Sequence, residues 1–122
     1  MSDRHHAVWP ANIPKHLSLP QTSLYTNLEV SALRYPQRDA INYYDSPLTF
    51  AQLKQQVDAL AGYLQSLGVE KGDRVLLFMQ NAPQFIISYY AILRANAIVV
   101  PVNPMNRAAE LEHYLEDTEA SV

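Results

Sequence analysis

The apolar residues in the second half of the chain form two short continuous runs separated by a longer segment. The first run covers residues 75–78 and the second covers residues 98–100. Continuous runs of this length are typical of parallel strands that are covered on both faces. Pro83 stands near the start of the segment between them, where its missing N–H costs little. The pattern therefore predicts a βαβ unit with a helix over about residues 84–95.

Residues with a preference for left-handed backbone follow two of the predicted helices. Asn96 stands where the helix of the βαβ unit should end. Gly68 stands after another predicted helix, over residues 50–67, and Leu64 and Val69 can touch across it in a Schellman cap. Thr49 and Gln52 have the spacing of a capping box at the start of that helix. We therefore expect sharp starts and ends for these elements.

The first part of the chain predicts an arm, a helix and a hairpin. Residues 1–21 contain three prolines and little periodicity, which indicates an extended arm. Residues 22–35 have one apolar stripe and predict a helix capped by Thr22 or Ser23. Residues 39–50 predict a hairpin whose turn is Asp45-Ser46-Pro47.

The last residues predict a helix capped by Asn106 over residues 107–117, followed by the start of a third parallel strand at residues 120–122. The helix of the βαβ unit is apolar around nearly its whole circumference, which is typical of a helix buried on all sides. The other segments are too few to cover it. We therefore expect an α/β fold with a partial parallel sheet, flanking helices and a short N-terminal hairpin. Residues 1–21 form the arm and residues 22–122 an incomplete α/β subdomain.

Composition narrows the classes of function. The chain has 122 residues, is 48% hydrophobic and 17% charged, and carries a formal charge of −3 from 9 basic and 12 acidic residues. No basic cluster is present, so nucleic acid is not an expected partner. Cysteine is absent, which excludes disulfides and thiolate metal sites. No signal peptide and no apolar run of membrane-spanning length occurs, so we expect a cytoplasmic protein, with peripheral contact with a membrane left open.

The residue types that most often carry chemistry do not combine into a site. The three glycines lie in helices and turns rather than in a phosphate-binding loop after a strand. The four histidines are His5, His6, His16 and His113. A metal site needs ligands that converge from fixed elements, which these spacings do not predict. The acidic run of the last helix, at Glu110, Glu112, Glu116, Asp117 and Glu119, indicates a solvated face.

Two stretches resemble core motifs of the AMP-forming acyl-CoA synthetases. They are LTFAQL at residues 48–53 and ILRANAIVVPVNP at residues 92–104. The resemblance covers about residues 17–122. Residues 13–25 and the Asn103-Pro104 ending are most similar to the long-chain fatty acid branch. Two positions depart from the family pattern, since Asn96 and Glu119 stand where glycine is usual.

The resemblance implies the first part of a larger adenylate-forming N-terminal domain. In such enzymes a carboxylate attacks the α-phosphate of ATP, and coenzyme A then displaces AMP from the acyl-AMP. The resemblance implies ATP, Mg²⁺ and coenzyme A for the parent enzyme and a fatty acid as its substrate. The family's catalytic motifs lie beyond Val122. We therefore predict no catalytic, cofactor-binding or metal-binding residue in this chain, and we expect the fragment alone to be inactive.

Two alternatives remain open at this point. The chain can belong to another adenylate-forming enzyme, such as a peptide synthetase adenylation domain or a luciferase-like oxidase. It can also be a stand-alone structural or dimerisation module with the same fold. In each case we expect either the remainder of a parent enzyme or a second copy of the chain as partner.

Overall fold

The computed structural model describes residues 3–120 and Val122, and within them it confirms the predicted α/β fold. After a short 3-10 helix at Asp3–Val8, the elements are α1 (Leu24–Arg34), β1 (Asp39–Tyr43), β2 (Ser46–Thr49), α2 (Phe50–Ser66), β3 (Arg74–Phe78), α3 (Pro83–Arg94), β4 (Ile98–Val102) and α4 (Ala108–Thr118). The strands β1 and β2 form an antiparallel hairpin, and β3 and β4 form a parallel pair. None of the helices in the described part of the chain is long and apolar enough to cross a membrane.

The register of the parallel pair explains how β4 accommodates a proline. The sequence predicts that this strand closes at Pro101, but β4 continues through it to Val102. The Ile98 N–H donates to the Asp73 carbonyl, and Leu77 pairs with Pro101. Backbone groups of alternate residues face the partner strand. Pro101 therefore turns its nitrogen away from β3, and its missing N–H breaks no bond of the ladder.

A backbone hydrogen bond marks the opposite edge of β3. The Leu76 N–H donates to the Val122 carbonyl at 2.7 Å. Such a bond is the kind that a third strand beside β3 would make, as the sequence predicts for residues 120–122. Ser121 lies outside the described residues. The chain therefore places its last residue next to β3, on the side away from β4.

Both predicted left-handed caps are present, and both are Schellman motifs. Gly68 has a φ of 94°, its N–H donates to Gln65, and the Val69 N–H donates to the Leu64 carbonyl. Asn96 has a φ of 61°, and the end of α3 has the equivalent pair of hydrogen bonds, from the N–H groups of Asn96 and Ala97. Asparagine tolerates this conformation better than most residues with a Cβ. The departure from glycine at position 96 therefore preserves the cap geometry.

The start of α2 is also as predicted, whereas the start of α4 is not. The Gln52 N–H donates to the Thr49 hydroxyl, and the Gln52 side-chain oxygen accepts from the Thr49 N–H. At α4 the residue before the helix is Arg107 rather than Asn106. The Glu110 carboxylate accepts from the Arg107 N–H at 2.6 Å. A glutamate three residues into the helix has thus displaced the asparagine from the capping role.

The hairpin turn lies earlier in the chain than predicted. Tyr44 and Asp45 both have positive φ, 48° and 59°, and they form a two-residue turn between β1 and β2. Such turns match the right-handed twist of paired strands. Pro47 is therefore not in the turn but in β2, where it pairs with Asn42.

The core lies between α1, α2, α3 and one face of the parallel pair. Its most buried members come from α2 and α3, and include Leu53, Val57, Ala91 and Ile92. The helix α3 is buried on this side only, because Phe85, Ile86, Tyr89 and Tyr90 are half-buried at its margin. The prediction that α3 is covered all round is therefore only partly met within this chain.

The prediction that both faces of the strands are buried is wrong for these residues. Val75 and Leu77 are buried against the helices. On the other face, Phe78 is 40% and Ile98 50% exposed. The helix α4 does not cover this face fully, since none of its residues is buried. The subdomain therefore leaves part of this second face of the sheet uncovered.

The arm is less extended than the sequence predicts. Asp3–Val8 forms the 3-10 helix, and the Trp9 indole N–H donates to the Ile13 carbonyl at 3.1 Å. The His6 ring lies edge-on to the ring of His16, with centroids 5.5 Å apart. These contacts fold residues 6–16 into a turn. Met1 and Ser2 lie outside the described residues.

Candidate functional site

The most closely connected group of charged side chains lies where α1, α2 and α3 meet. Asp58 of α2 accepts a hydrogen bond from the Tyr25 hydroxyl at 2.6 Å and one from Lys54 at 2.5 Å. Arg94 of α3 reaches the same carboxylate at 3.6 Å, and its guanidinium lies 5.0 Å from the centre of the Tyr25 ring. Asp58 therefore ties three helices together. We call these four residues the Asp58 cluster.

Asp58, Tyr25 and Lys54 each have a shifted pKa. Burial alone would raise the pKa of Asp58, but hydrogen bonds from Lys54 and Tyr25 and the charge of Arg94 outweigh it and lower that pKa. The pKa of Tyr25 is raised, first by burial and then by its bond to Asp58. The pKa of Lys54 is raised by its bond to Asp58. The charged carboxylate and ammonium are thus the favoured forms at neutral pH.

The Asp58 cluster is better explained as a contact that holds the helices together than as a catalytic site. Lys54 and Arg94 both form ion pairs with the Asp58 carboxylate, and the tyrosine hydroxyl keeps its proton. A general base needs a free acceptor aimed at a substrate proton. The pattern of residues along the chain does not predict this cluster. The spacing of four between Lys54 and Asp58 is a signal for their pair, but the contacts with Tyr25 and Arg94 depend on how the helices pack.

A second candidate is a crevice at the carboxyl ends of β3 and β4. It has a volume of about 370 Å³ and is lined by Met79, Asn81, Phe85, Pro101, Val102, Asn103 and Pro104. Ligands of open α/β sheets often bind at this end of the strands. The Asn103 side-chain oxygen accepts from the Met105 N–H and thereby shapes the turn after β4. The lining offers amides and apolar groups but no acid, base or nucleophile.

The structure separates the other residues considered in the sequence. His6 and His16 are in the arm, whereas His113 is exposed on α4. Within residues 3–120 and at Val122, no three His, Cys, Asp or Glu side chains are placed to hold a metal ion. Of the acidic run, Glu110 caps α4 and Glu119 binds Arg74.

Glu119, the second departure from the family pattern, occupies a left-handed position, with a φ of 50°. Its carboxylate accepts from Arg74 at 2.7 Å, and Arg74 also donates to the Thr118 carbonyl at 2.6 Å. Arg74 opens β3, so this clamp holds the end of α4 against the sheet. The left-handed conformation is strained for a residue with a Cβ. The clamp compensates for the glycine that is missing here.

Comparisons with known proteins agree with this fold. A long-chain-fatty-acid–CoA ligase of Bacillus subtilis is 43% identical over 116 residues, which cover 95% of this chain and 21% of the relative. A salicyl-AMP ligase of Mycobacterium tuberculosis is 43% identical over 97 residues, 75% of this chain and 17% of the relative. The solved N-terminal domain of FACL13 from Mycobacterium tuberculosis superposes with a TM-score of 0.79 at 30% identity, over 84% of this chain and 26% of that one.

The chain thus spans about a fifth of the length of the curated relatives it matches. The sequence profile of the AMP-binding enzyme family matches residues 28–122. This range contains the hairpin, the parallel pair, α2, α3, α4 and both left-handed caps. On this match the chain belongs to the AMP-binding enzyme family.

Proposed function

We propose that this chain is the N-terminal part of an AMP-forming ligase that joins a long-chain fatty acid to coenzyme A. The observation that carries the proposal is the match to the Bacillus subtilis long-chain-fatty-acid–CoA ligase. That match covers 116 of 122 residues and leaves six outside it, so it extends well into the arm. The family profile begins only at residue 28.

The extent of the match favours a long-chain fatty acid over an aromatic acid. The salicyl-AMP ligase is as similar in identity, at 43%, but its match covers only 75% of this chain. The long-chain ligase covers 95%. The difference in coverage supports the long-chain branch.

In the proposed whole enzyme, the fatty acid carboxylate attacks the α-phosphate of ATP, and pyrophosphate leaves. The coenzyme A thiol then attacks the carbonyl of the acyl-AMP and releases AMP. Bound Mg²⁺ would balance phosphate charge in the first step. The described residues of this chain offer neither a phosphate loop nor a metal cluster. We therefore assign no step to a residue of this chain.

Within the proposed enzyme, residues 22–122 act as an incomplete N-terminal subdomain and residues 1–21 as its arm. The Leu76–Val122 hydrogen bond supports this assignment, because a further strand beside β3 would make a bond of this kind. The half-covered second face of the sheet supports it too. The remainder of the parent enzyme is then the main partner. We further propose a cytoplasmic enzyme with peripheral contact with a membrane.

A hybrid enzyme tests the proposal. The segment of the Bacillus subtilis ligase that aligns with this chain is replaced by residues 1–122, and acyl-CoA formation from a long-chain fatty acid and from salicylate is measured. We expect ATP-dependent thioester formation with the fatty acid. A hybrid that melts cooperatively but activates only salicylate, or neither acid, would contradict the proposal.

The isolated chain provides the complementary measurement. We expect no fatty-acid-dependent ATP–pyrophosphate exchange above a blank without protein, because the catalytic motifs of the proposed enzyme lie outside these residues. Exchange by the purified chain would show that it contains a catalytic site of its own. It would also contradict the alternative of a purely structural module.

A further inference from the structure

We draw no further inference here: the strongest candidate, the apolar groove between α2, α3 and the edge of β3 that bonds to Val122, carries none, because nothing in the structure shows what covers it in a chain that spans about a fifth of its relatives.

Discussion

Among single residues, two glycines show that the effect of a change to alanine on stability depends on the backbone conformation at that position. Gly68 has a φ of 94°, whereas Gly62 lies within α2, and in neither case would an added Cβ meet an atom within 4 Å. Backbone conformation is therefore the only difference that matters. A left-handed residue with a Cβ costs roughly 1–2 kcal/mol, while glycine within a helix costs roughly 0.5–1 kcal/mol relative to alanine.

We therefore predict opposite effects for two alanine variants. Gly68→Ala should lower the free energy of unfolding by about 1 kcal/mol, and Gly62→Ala should raise it by about 0.5 kcal/mol. Urea unfolding followed by circular dichroism measures both, each variant serving as the control for the other. Equal midpoints with equal slopes would contradict the left-handed cap.

The lowered pKa of Asp58 implies that the free energy of unfolding depends on pH. Its pKa in the folded chain lies below the ordinary value of 3.8. Near that pH the unfolded chain therefore binds more protons than the folded one, so stability is present above the ordinary pKa and lost as the pH falls through the folded pKa. The carboxylate is partly exposed, which weakens its ion pairs.

The matching prediction concerns Asp58→Asn. At neutral pH this change should lower the free energy of unfolding by about 1 kcal/mol, since it weakens the bonds from Tyr25 and Lys54. The difference from the unchanged chain should shrink as the pH falls below roughly 4. Urea midpoints measured across this range test it, with Glu116→Gln on the exposed side of α4 as the control. A difference that is constant with pH would rule out the ionised carboxylate as the cause.

Among the elements, the position of α4 depends on one residue of β3. Arg74 donates to the Thr118 carbonyl and to the Glu119 carboxylate, and the next residue but one in β3, Leu76, holds Val122. Lysine lacks the planar group that makes two such bonds at once. We therefore expect Arg74→Lys to loosen the contact of α4 and Val122 with the sheet.

Hydrogen exchange of backbone amides measures this effect. In Arg74→Lys the amides of α4 and of Leu76 should exchange about tenfold faster, while those of α2 keep their rates. Arg34→Lys, at the exposed end of α1, serves as the control and should change neither. Unchanged exchange at Leu76 would mean that the clamp does not hold the last residues.

A proline on the free edge of β4 disfavours pairing of this strand with other chains. Pro101 lacks an N–H on the edge that faces away from β3, and proline at such an edge discourages further strands. We predict that Pro101→Val increases self-association through this edge. Light scattering after size exclusion, at several protein concentrations, measures it. Pro36→Val, outside the strands, should associate no more than the unchanged chain, and equal masses for both variants would contradict the prediction.

At the scale of the whole molecule, the accessible surface is large for the mass. The chain exposes 9171 Å², whereas a compact monomer of 13.8 kDa exposes about 6,600 Å². The arm and the second face of the sheet, with Phe78 and Ile98, both contribute to the excess. A complete domain would cover most of such apolar area.

We therefore predict that the isolated chain forms a dimer or a higher oligomer that buries the second face of the sheet. The Tyr89–Tyr90 side of α3 is a smaller alternative, because both rings are already half-buried. Size exclusion with light scattering across a dilution series measures the mass. A monodisperse monomer that binds no hydrophobic dye would show that the chain covers its own core.

Local signals in the sequence were sufficient for most of the elements and for both left-handed caps. The capping box of Thr49 and the caps at Gly68 and Asn96 depend on residues within six positions of one another. The mispredicted end of β4 and the mispredicted hairpin turn share one cause. The continuation of β4 through Pro101 depends on which edge of the strand is free. The position of the turn at Tyr44-Asp45 depends on the register in which β1 and β2 pair. Neither is visible in a window of a few residues.

The sequence by itself determined the α/β class, the βαβ unit and the similarity to acyl-CoA synthetases, because periodicity, capping and motif are properties of neighbouring residues. Only the tertiary structure decided that Asp58 joins Tyr25, Lys54 and Arg94, and that Arg74 holds Glu119, 45 residues away. It also decided which face of the sheet stays open. These features arise when distant elements pack, and the energy of each contact depends on a geometry that no single segment contains.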